Sequence, residues 1–493
     1  MIRPHIGNLA RSVAILGGAL ALGAVMAGQA LAVVPMTQVS HDPYTNTSSY
    51  HQTQLEPDTF SYSSTVVSVF QTGRFYDGGA SNICWATTTN HGGSWTTGCL
   101  PDTTVYASPA GPWARVSDPS VAYDPVHDAW LISSLAINGN TIGKAVLVSR
   151  STDGGLTWGN PVTVASTGSG FFDKEWVACD TWVGSPNRGN CYAEWDDANS
   201  GNTLLLSRST NGGLNWTSSS TPGSAVIGGQ PLAQPDGTVV VPIDSVSSNN
   251  IESFVSTNGG STYTGPFTIA TISDHGVAGN LRTSALPSAE VDAAGKVYVV
   301  WQDCRFRSGC SRNDIVMSTS TDGKNWTSVV RIPIDATTST VDHFIPGIGV
   351  DSTTSGGTAR LGVTYYYYPS ASCSSSTCKL RAGFVSSGDG GATWTSPKKL
   401  VGAIALKSLP HTNQGYMVGD YISTSWSNSR AYPVIANAQA GTCTVGQITS
   451  CHEFMVAPTN GLRGTGLVHR AGLDRPVPGA HSDHATAFPR TAF

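Results

Sequence analysis

One short motif recurs along this 493-residue chain and limits its fold more than any other feature does. The clearest copy, Ser-Thr-Asp-Gly-Gly-Leu-Thr-Trp, occupies 151–158. Four more copies and an imperfect sixth one lie at 209–216, 256–263, 320–326, 387–394 and 90–95. In a tight turn, Asp or Asn accepts hydrogen bonds from nearby backbone N–H groups, and Gly adopts positive φ at little steric cost. Each copy follows an apolar or alternating stretch and therefore predicts a strand–turn–strand unit, whose aromatic residue packs between sheets.

The spacing of the copies predicts the size of the repeating unit. The aromatic residues that end the six copies are 47 to 68 residues apart. A four-stranded sheet with its connections needs about fifty to sixty residues, at about five to six residues per strand. We therefore predict an all-β protein, a six-bladed β-propeller of four-stranded antiparallel blades that fills residues 59–458. The composition agrees, because only 12% of residues are charged and the 55 glycines suit many tight turns.

The repeated turn resembles the Asp-boxes, or BNR repeats, of the sialidase superfamily. The resemblance implies a sialidase-like propeller in which the box residues Asp153, Asp322 and Asp389 are structural and not catalytic. The superfamily includes sialidases, other glycosidases, polysaccharide lyases and noncatalytic binders, so the resemblance narrows the fold more than the function.

The two ends of the chain read differently from its centre. Arg3 and Arg11 precede an uncharged stretch that closes with Ala-Leu-Ala at 30–32, which predicts a secretory signal peptide over 1–32, with a retained membrane anchor as the alternative. No later stretch has about 18 consecutive apolar residues, so we expect a secreted protein without a membrane span after cleavage. Residues 33–58 are predicted to be a flexible segment and 459–493 a poorly ordered tail.

The ten cysteines fall into five close pairs, which predicts five local disulfides in an exported chain. The pairs are Cys84–Cys99, Cys179–Cys191, Cys304–Cys310, Cys373–Cys378 and Cys443–Cys451. A zinc site is the weaker alternative, because no Cys-x-x-Cys pair stands near a suitably spaced histidine pair. The net charge of −5 gives no basic face for nucleic acid, and no nucleotide-binding motif predicts a cofactor. We expect a monomer.

By the same resemblance, a sialidase site needs arginines that bind the sugar carboxylate, an Asp general acid and a Tyr nucleophile activated by Glu. The stretch from Arg282 to the turn at 320 looks like the module that opens many sialidases. That likeness implies that Arg282 and Arg305 contact substrate and that Asp314 or Asp303 is the general acid. Arg115, which precedes Asp118, is a second candidate. The alternative for each arginine is a surface position or a pair with Asp303 or Asp118 that holds a loop.

Carboxylates and aromatic rings bracket the Cys179–Cys191 pair. Asp173, Glu175 and Trp176 precede it and Glu194 follows it, a mixture that suits sugar binding, with Glu175 also a candidate catalytic glutamate. A second reading is structural calcium held by Asp196, Asp197 and carbonyl groups, since hard cations favour several oxygens. The third is acids at strand ends, satisfied by backbone donors.

The run of four tyrosines at 365–368 follows a predicted strand, so alternate rings face opposite sides of a sheet. Tyr365 or Tyr367 is therefore the nucleophile candidate, with packing in the core as the alternative. Asp342 and His343 are further candidates for a position in the channel. The sequence thus favours a sialidase-like exo-glycosidase acting on terminal sialic acid of glycoconjugates. A noncatalytic glycan-binding propeller, or a glycosidase or lyase for another acidic sugar, is the alternative.

Overall fold

The computed structural model describes residues 1, 34–447, 450–464, 468–471 and 474–477. Contacts divide the chain into residues 1–32 and 33–493, and all the elements below belong to the second unit. The predicted signal peptide, apart from Met1, lies outside the described residues. None of the described helices is long and apolar enough to cross a membrane.

The described chain is all-β, with only short 3₁₀ helices. In chain order the strands are β1 (Met36–Gln38), β2 (Gln54–Tyr62), β3 (Thr65–Arg74), β4 (Ala80–Thr88), β5 (Thr96–Cys99), β6 (Arg115–Asp124), β7 (Ala129–Ile137), β8 (Gly143–Ser151), β9 (Val162–Ser166), β10 (Phe172–Cys179), β11 (Cys191–Asp197), β12 (Thr203–Ser209), β13 (Thr217–Ser218), β14 (Val226–Ile227), β15 (Leu232–Ala233), β16 (Val239–Ser245), β17 (Asn250–Ser256), β18 (Thr264–Thr271), β19 (Ser288–Val291), β20 (Val297–Asp303), β21 (Asp314–Ser320), β22 (Val330–Arg331), β23 (Asp342–Val350), β24 (Leu361–Tyr368), β25 (Lys379–Ser387), β26 (Thr393–Thr395), β27 (Lys398–Ala405), β28 (His411–Thr412), β29 (Gly415–Tyr416), β30 (Ser423–Ser427), β31 (Arg430–Ala438), β32 (Glu453–Pro458) and β33 (Val468–Arg470). The 3₁₀ helices span Ala198–Ser200, Ala278–Asn280, Ser308–Cys310, Gly356–Thr358 and Leu406–Ser408.

Most strands form antiparallel sheets of four strands, or of five in one case. These units are β2–β5, β6–β9, β10–β13, β14–β18, β19–β22, β23–β25 with β27, and β30–β32 with β1. The first two share a single pair, Ala80 opposite Val116. In the fourth unit, β14 and β15 pair with opposite ends of β16 and together replace one first strand.

The first strands of the seven units contact one another in chain order. β2 contacts β6, and the series continues through β10, β15, β19 and β23 to β30, which contacts β2 again. This order is propeller-like. The described residues hold seven such sheets, whereas we predicted six blades.

The seventh sheet explains the difference. Each of the first six carries one repeated turn after its third strand, and counting those turns gave six. The fourth strand of the last sheet is β1, which pairs with β32 from the other end of the chain, Met36 opposite Pro458. No turn joins them, so this sheet leaves no copy of the motif in the sequence. The prediction of a flexible segment over 33–58 is therefore wrong, because it contains β1 and the start of β2.

The described part of the predicted tail is also attached to the sheets. β33 pairs with β26 at the end of the repeated turn at 387–394, with Trp394 opposite His469. Further along, Asp474 lies 3.1 Å from Arg331, and the Val477 N–H donates to the Arg305 carbonyl at 2.8 Å.

The repeated turns have the hydrogen bonds that the sequence predicts. In the copy at 151–158, the Asp153 carboxylate accepts from the N–H groups of Leu156 and Thr157, and the Ser151 hydroxyl accepts from Gly155 N–H at 2.9 Å. Slight burial acts to raise the pKa of Asp153, but the hydrogen bonds from Thr157 and Ser151 outweigh it and lower this pKa to about 2. Trp394 of the last copy is fully buried and donates to Gly391 at 3.0 Å. The acids of these turns are thus used structurally.

All five predicted disulfides are present, and the described residues include no free cysteine. Cys84 and Cys99 face each other across β4 and β5, and Cys179 and Cys191 across β10 and β11. The other three close loops at or beside the ends of strands.

Candidate functional site: the central cavity and the ion cluster beside it

Four of the seven first strands share a distortion, which brings charged side chains of three of them together. β2, β6, β10 and β23 each have a register shift near their start, with Glu56, Asp118, Lys174 and Ile345 at positive φ between 47° and 58°. A bulge of this kind re-aims a side chain that regular pairing would send to a sheet face. Three of the four bulge residues are charged, and these three meet in one cluster.

Lys174 and Asp420 are the centre of that ion cluster. The Lys174 ammonium lies 2.5 Å from Asp420, 3.6 Å from Asp118 and 3.8 Å from Glu56. Asp420 also accepts two hydrogen bonds from the Arg282 guanidinium, one of them from Nε at 2.7 Å. All five side chains are less than a tenth exposed.

Burial and neighbouring charge act on the cluster in opposite directions. Burial raises the pKa of Glu56 to about 7 against the attraction of Lys174. Burial also works to raise the pKa of Asp420, but Arg282 and Lys174 outweigh it and hold this pKa well below its ordinary value. Asp420 is therefore the fixed negative charge that keeps two buried cations in place. Removing one partner of a buried ion pair costs about 3–5 kcal/mol, because the other charge stays buried.

Side chains accept hydrogen bonds from the backbone of the next first strand at four of the seven junctions between neighbouring sheets. Asp58 of β2 accepts from the Val121 N–H at 2.8 Å, and Ser120 of β6 accepts from Val177 at 2.7 Å. Gln230 and Ser288 accept in the same way from Ala289 and Ile348. These bonds replace backbone pairing between neighbouring sheets and hold the first strands apart around a space.

That space is a cavity of about 250 Å³. Every one of the seven first strands contributes at least one lining residue. Phe60, Tyr62, Trp176 and Trp182 line it as partly exposed aromatic rings, and Trp426 lines it while mostly buried. Pockets for drug-sized ligands hold about 300–1,000 Å³, so this cavity fits a smaller group, about one sugar ring.

Two carboxyl groups, Asp58 and Glu290, also line the cavity. Burial raises the pKa of Asp58 to about 7, despite its bond from Val121. Burial, with the nearby Asp58 charge, raises the pKa of Glu290 to about 8. Near neutral pH both groups therefore carry a proton for much of the time and donate as well as accept hydrogen bonds.

A smaller space of about 30 Å³ lies next to the ion cluster, between Lys174, Trp176 and Tyr421. It is large enough for one or two water molecules. The Tyr421 ring packs edge-on against Trp176, with centroids 5.0 Å apart, and its hydroxyl donates to the Pro119 carbonyl at 3.0 Å. Trp176 lines both spaces.

The structure does not bring the three predicted arginines together. Arg282 is bound to Asp420 in the ion cluster. Arg305 forms two bonds to Asp303, and Arg115 lies 2.5 Å from Asp77 with its guanidinium over the Phe75 ring. Each one has its own carboxylate, but only Arg305 has a partner that the sequence analysis named, Asp303.

The predicted acids and nucleophiles lie away from the cavity. Asp314 is buried, accepts from Arg307 and lies 2.8 Å from the Arg331 guanidinium, while Asp303 also accepts from the Trp301 indole. Tyr365 is 2% exposed in the second strand of its sheet, and its ring lies 5.4 Å from the His343 ring. Tyr367 lies 6.2 Å from His343 in the same group. None of the four lines the cavity.

The acids around Cys179–Cys191 divide between two environments. Trp176 lines the cavity, whereas Asp173, Glu175 and Glu194 are buried in β10 and β11. Burial raises the pKa of Glu175 and of Glu194 well above the ordinary value, and that of Asp173 to about 7. The three acids are therefore largely part of the protein interior.

The contacts of Asp196 and Asp197 give no support to the prediction that these residues bind structural calcium. Asp197 accepts from Phe171 and Asn199 N–H groups, and Asp196 accepts from Asn202. In the part of the chain that the structure describes, one group, Asp314, Asp335 and His343, has the spacing for a metal. Arg307 and Arg331 already neutralise its two carboxylates. Structural calcium stays a prediction.

Sequence reasoning missed most of the residues that matter here. It named Trp176, Arg282 and Asp118, and passed over Lys174, Asp58, Glu290 and Trp182. A usable signal was present, because 56–58, 118–120, 286–288 and 345–347 each place proline second, at the start of a first strand. That second repeat marks the centre of the fold, as the turn motif marks its edge.

No family model and no curated protein matches the chain. Among solved structures it is similar to a protein of unknown function from Dyadobacter fermentans, with 16% identity, a TM-score of 0.45, and coverage of 71% of this chain and 98% of that one. It is also similar to the phage phi92 endosialidase, with 11% identity, a TM-score of 0.48 and coverage of 86% and 68%. A Trypanosoma rangeli sialidase matches with 11% identity, a TM-score of 0.44 and coverage of 86% and 60%. At this distance the similarity carries no information on reaction or substrate.

Proposed function

We propose that this protein is a secreted glycan-binding propeller with seven blades, which holds one sugar ring in its central cavity. The observation that carries the proposal is the cavity wall, where partly exposed aromatic rings stand beside two carboxyl groups. Aromatic faces stack on the C–H faces of a sugar, and carboxyl groups bind its hydroxyls. Five disulfides suit a protein that works outside the cell.

Sialidase activity, which the sequence resemblance implies, has less support. It needs cations that are free to bind a sugar carboxylate, and the three predicted arginines each bind a carboxylate of the protein. No arginine or lysine is among the lining residues described for the cavity. A sialic acid there would place its carboxylate beside Asp58 and Glu290, with no arginine or lysine in the described lining to bind it. Binding of a glycan without a carboxylate agrees better with these walls.

Tryptophan fluorescence offers a direct test, since three tryptophans line the cavity. The purified chain is titrated with a panel of oligosaccharides, and calorimetry checks each fluorescence change. We expect at least one neutral or amino sugar to bind, and Trp176→Ala and Trp182→Ala to weaken it about tenfold or more. Trp326→Phe, in a repeated turn outside the cavity, serves as the matched control and retains the affinity.

The same preparation is assayed with a fluorogenic sialoside and with uronic-acid glycosides. We expect no turnover. Hydrolysis of the sialoside that is lost in both Arg282→Ala and Arg305→Ala, with the variants folded, would refute the binding proposal and establish a sialidase. If no sugar binds to folded protein, the cavity is not a glycan site.

A further inference from the structure

The charge of the cavity wall is one-sided. Asp58 and Glu290 are the ionisable acids that line it, and its described lining contains neither lysine nor arginine. The negative charge of Asp58 acts on Glu290 and helps to raise its pKa, after burial. When both lose their protons, the cavity holds two negative charges with no protein cation among its walls.

The two cations of the ion cluster already have a carboxylate partner. Lys174 and Arg282 are bound to Asp420 in the ion cluster, and both are less than a tenth exposed. In the turn between β19 and β20, the Lys296 ammonium lies over the Tyr298 ring, 4.9 Å from its centroid. The charge of the cavity therefore has to be balanced by protons or by a ligand.

The aromatic rings favour the same kind of ligand. Phe60, Tyr62, Trp176 and Trp182 are partly exposed and line the same cavity as the two acids. Aromatic faces attract cations, and cages of such rings recognise ammonium groups. Trp182 is held in place, because its indole N–H donates to the Ala233 carbonyl at 2.7 Å. Rings and acids together form a site for a positive charge on an otherwise sugar-sized group.

We infer that the ligand of the cavity is an amino sugar with a free, protonated amine, such as the terminal residue of a glucosamine oligomer. The inference rests on the proposed glycan binding and adds the charge of the sugar. When the ammonium binds, Asp58 and Glu290 release their protons to solvent, and both carboxylates then serve as its counter-ions. The sugar ring stacks on the aromatic wall. An acetyl group on the nitrogen removes the charge and adds bulk, so the N-acetylated form fits poorly.

Calorimetry on the full mature chain tests this with three trisaccharides of one length, made of glucosamine, N-acetylglucosamine or glucose. We expect the glucosamine trimer to bind at least tenfold more tightly than either of the others. Glu290→Gln, which keeps the shape but not the charge, should remove most of this preference. Asp58→Asn is less informative alone, because Asp58 also accepts the Val121 N–H.

The matched control is Glu252→Gln, at a buried glutamate in β17 that accepts from Ser248 at 2.7 Å and does not line the cavity. It should keep the preference for glucosamine. Equal binding of all three trimers, unchanged by Glu290→Gln, would overturn the inference and leave glycan binding intact. If none of the trimers binds, although the protein is folded and shows a cooperative unfolding transition, the proposed function and the inference are both refuted.

Discussion

The ion cluster offers the sharpest test of how this fold is held together, through the single substitution Asp420→Asn. Asp420 accepts two hydrogen bonds from Arg282, lies 2.5 Å from Lys174, and is 3% exposed. The amide keeps the shape but leaves two buried cations without their counter-ion. Loss of one partner from a buried pair costs about 3–5 kcal/mol. We therefore expect the free energy of unfolding to fall by about that amount at pH 7.

Urea unfolding, followed by tryptophan fluorescence and circular dichroism, measures this change. The control is Asp77→Asn, because Asp77 pairs with Arg115 but its side chain is 51% exposed. Exposed pairs contribute about 0–1 kcal/mol, so this variant should be nearly neutral. The double variant Lys174→Met with Asp420→Asn should cost less than the sum of the single changes, since it removes one of the stranded cations.

The lowered pKa of Asp420 determines how the destabilisation caused by Asp420→Asn changes with pH. The pKa of Asp420 is lower in the folded protein than in the unfolded chain, so its contribution is present above about pH 4 and is lost as pH falls further. The difference between Asp420→Asn and the parent should shrink in that acidic range. A loss below about 1 kcal/mol at pH 7, or one that does not change in acid, would refute the argument that this charge holds the centre.

Three further predictions concern other parts of the molecule. The pKa of Glu290 is raised to about 8, so its contribution to stability is fully present below about pH 4.5 and is lost progressively as pH rises toward 8. In the parent protein the free energy of unfolding should therefore fall over this range, by up to about 1.4 kcal/mol per pH unit. Glu290→Gln should make this curve of stability against pH flatter. Trp394→Ala removes a fully buried ring from a repeated turn and should cost about 3–5 kcal/mol in denaturant unfolding, with glycan affinity unchanged. A mature chain shortened to begin at Ser40 lacks β1, and thermal unfolding and limited proteolysis should show a lower midpoint and early cleavage near β32.

Local chemistry made the fold largely predictable. The repeated Asp-Gly turns fixed the strand–turn–strand units, and close cysteine spacing identified all five disulfides. The predicted number of blades missed the one sheet whose last strand, β1, comes from the other end of the chain. A motif formed by residues close together in sequence cannot reveal the pairing of two strands so far apart. The same limit explains the error over 33–58.

The site was less predictable, because its contacts join distant parts of the sequence. Lys174 and Asp420 are 246 residues apart, and nothing near either residue indicates the other. Arg282 was identified as a substrate contact from the residues beside it, but its function depends on Asp420. Glu290 was missed because it has no distinctive neighbours; its chemistry comes from burial at the edge of a cavity that seven strands make together. Trp176 was found because it stands among acids in a single short stretch.

The closure of the seventh sheet affects how molecules of this protein associate with one another. Thr37 and Thr459 share a hydrogen bond although they are 422 residues apart. Bringing ends so distant together costs about 5 kcal/mol of chain entropy, from the logarithmic dependence on loop length. During synthesis β1 is made first and its partner β32 almost last, so an open edge remains for most of that time. At high concentration, β1 of one molecule can complete the last sheet of another, which makes strand-exchanged dimers the expected by-product of refolding.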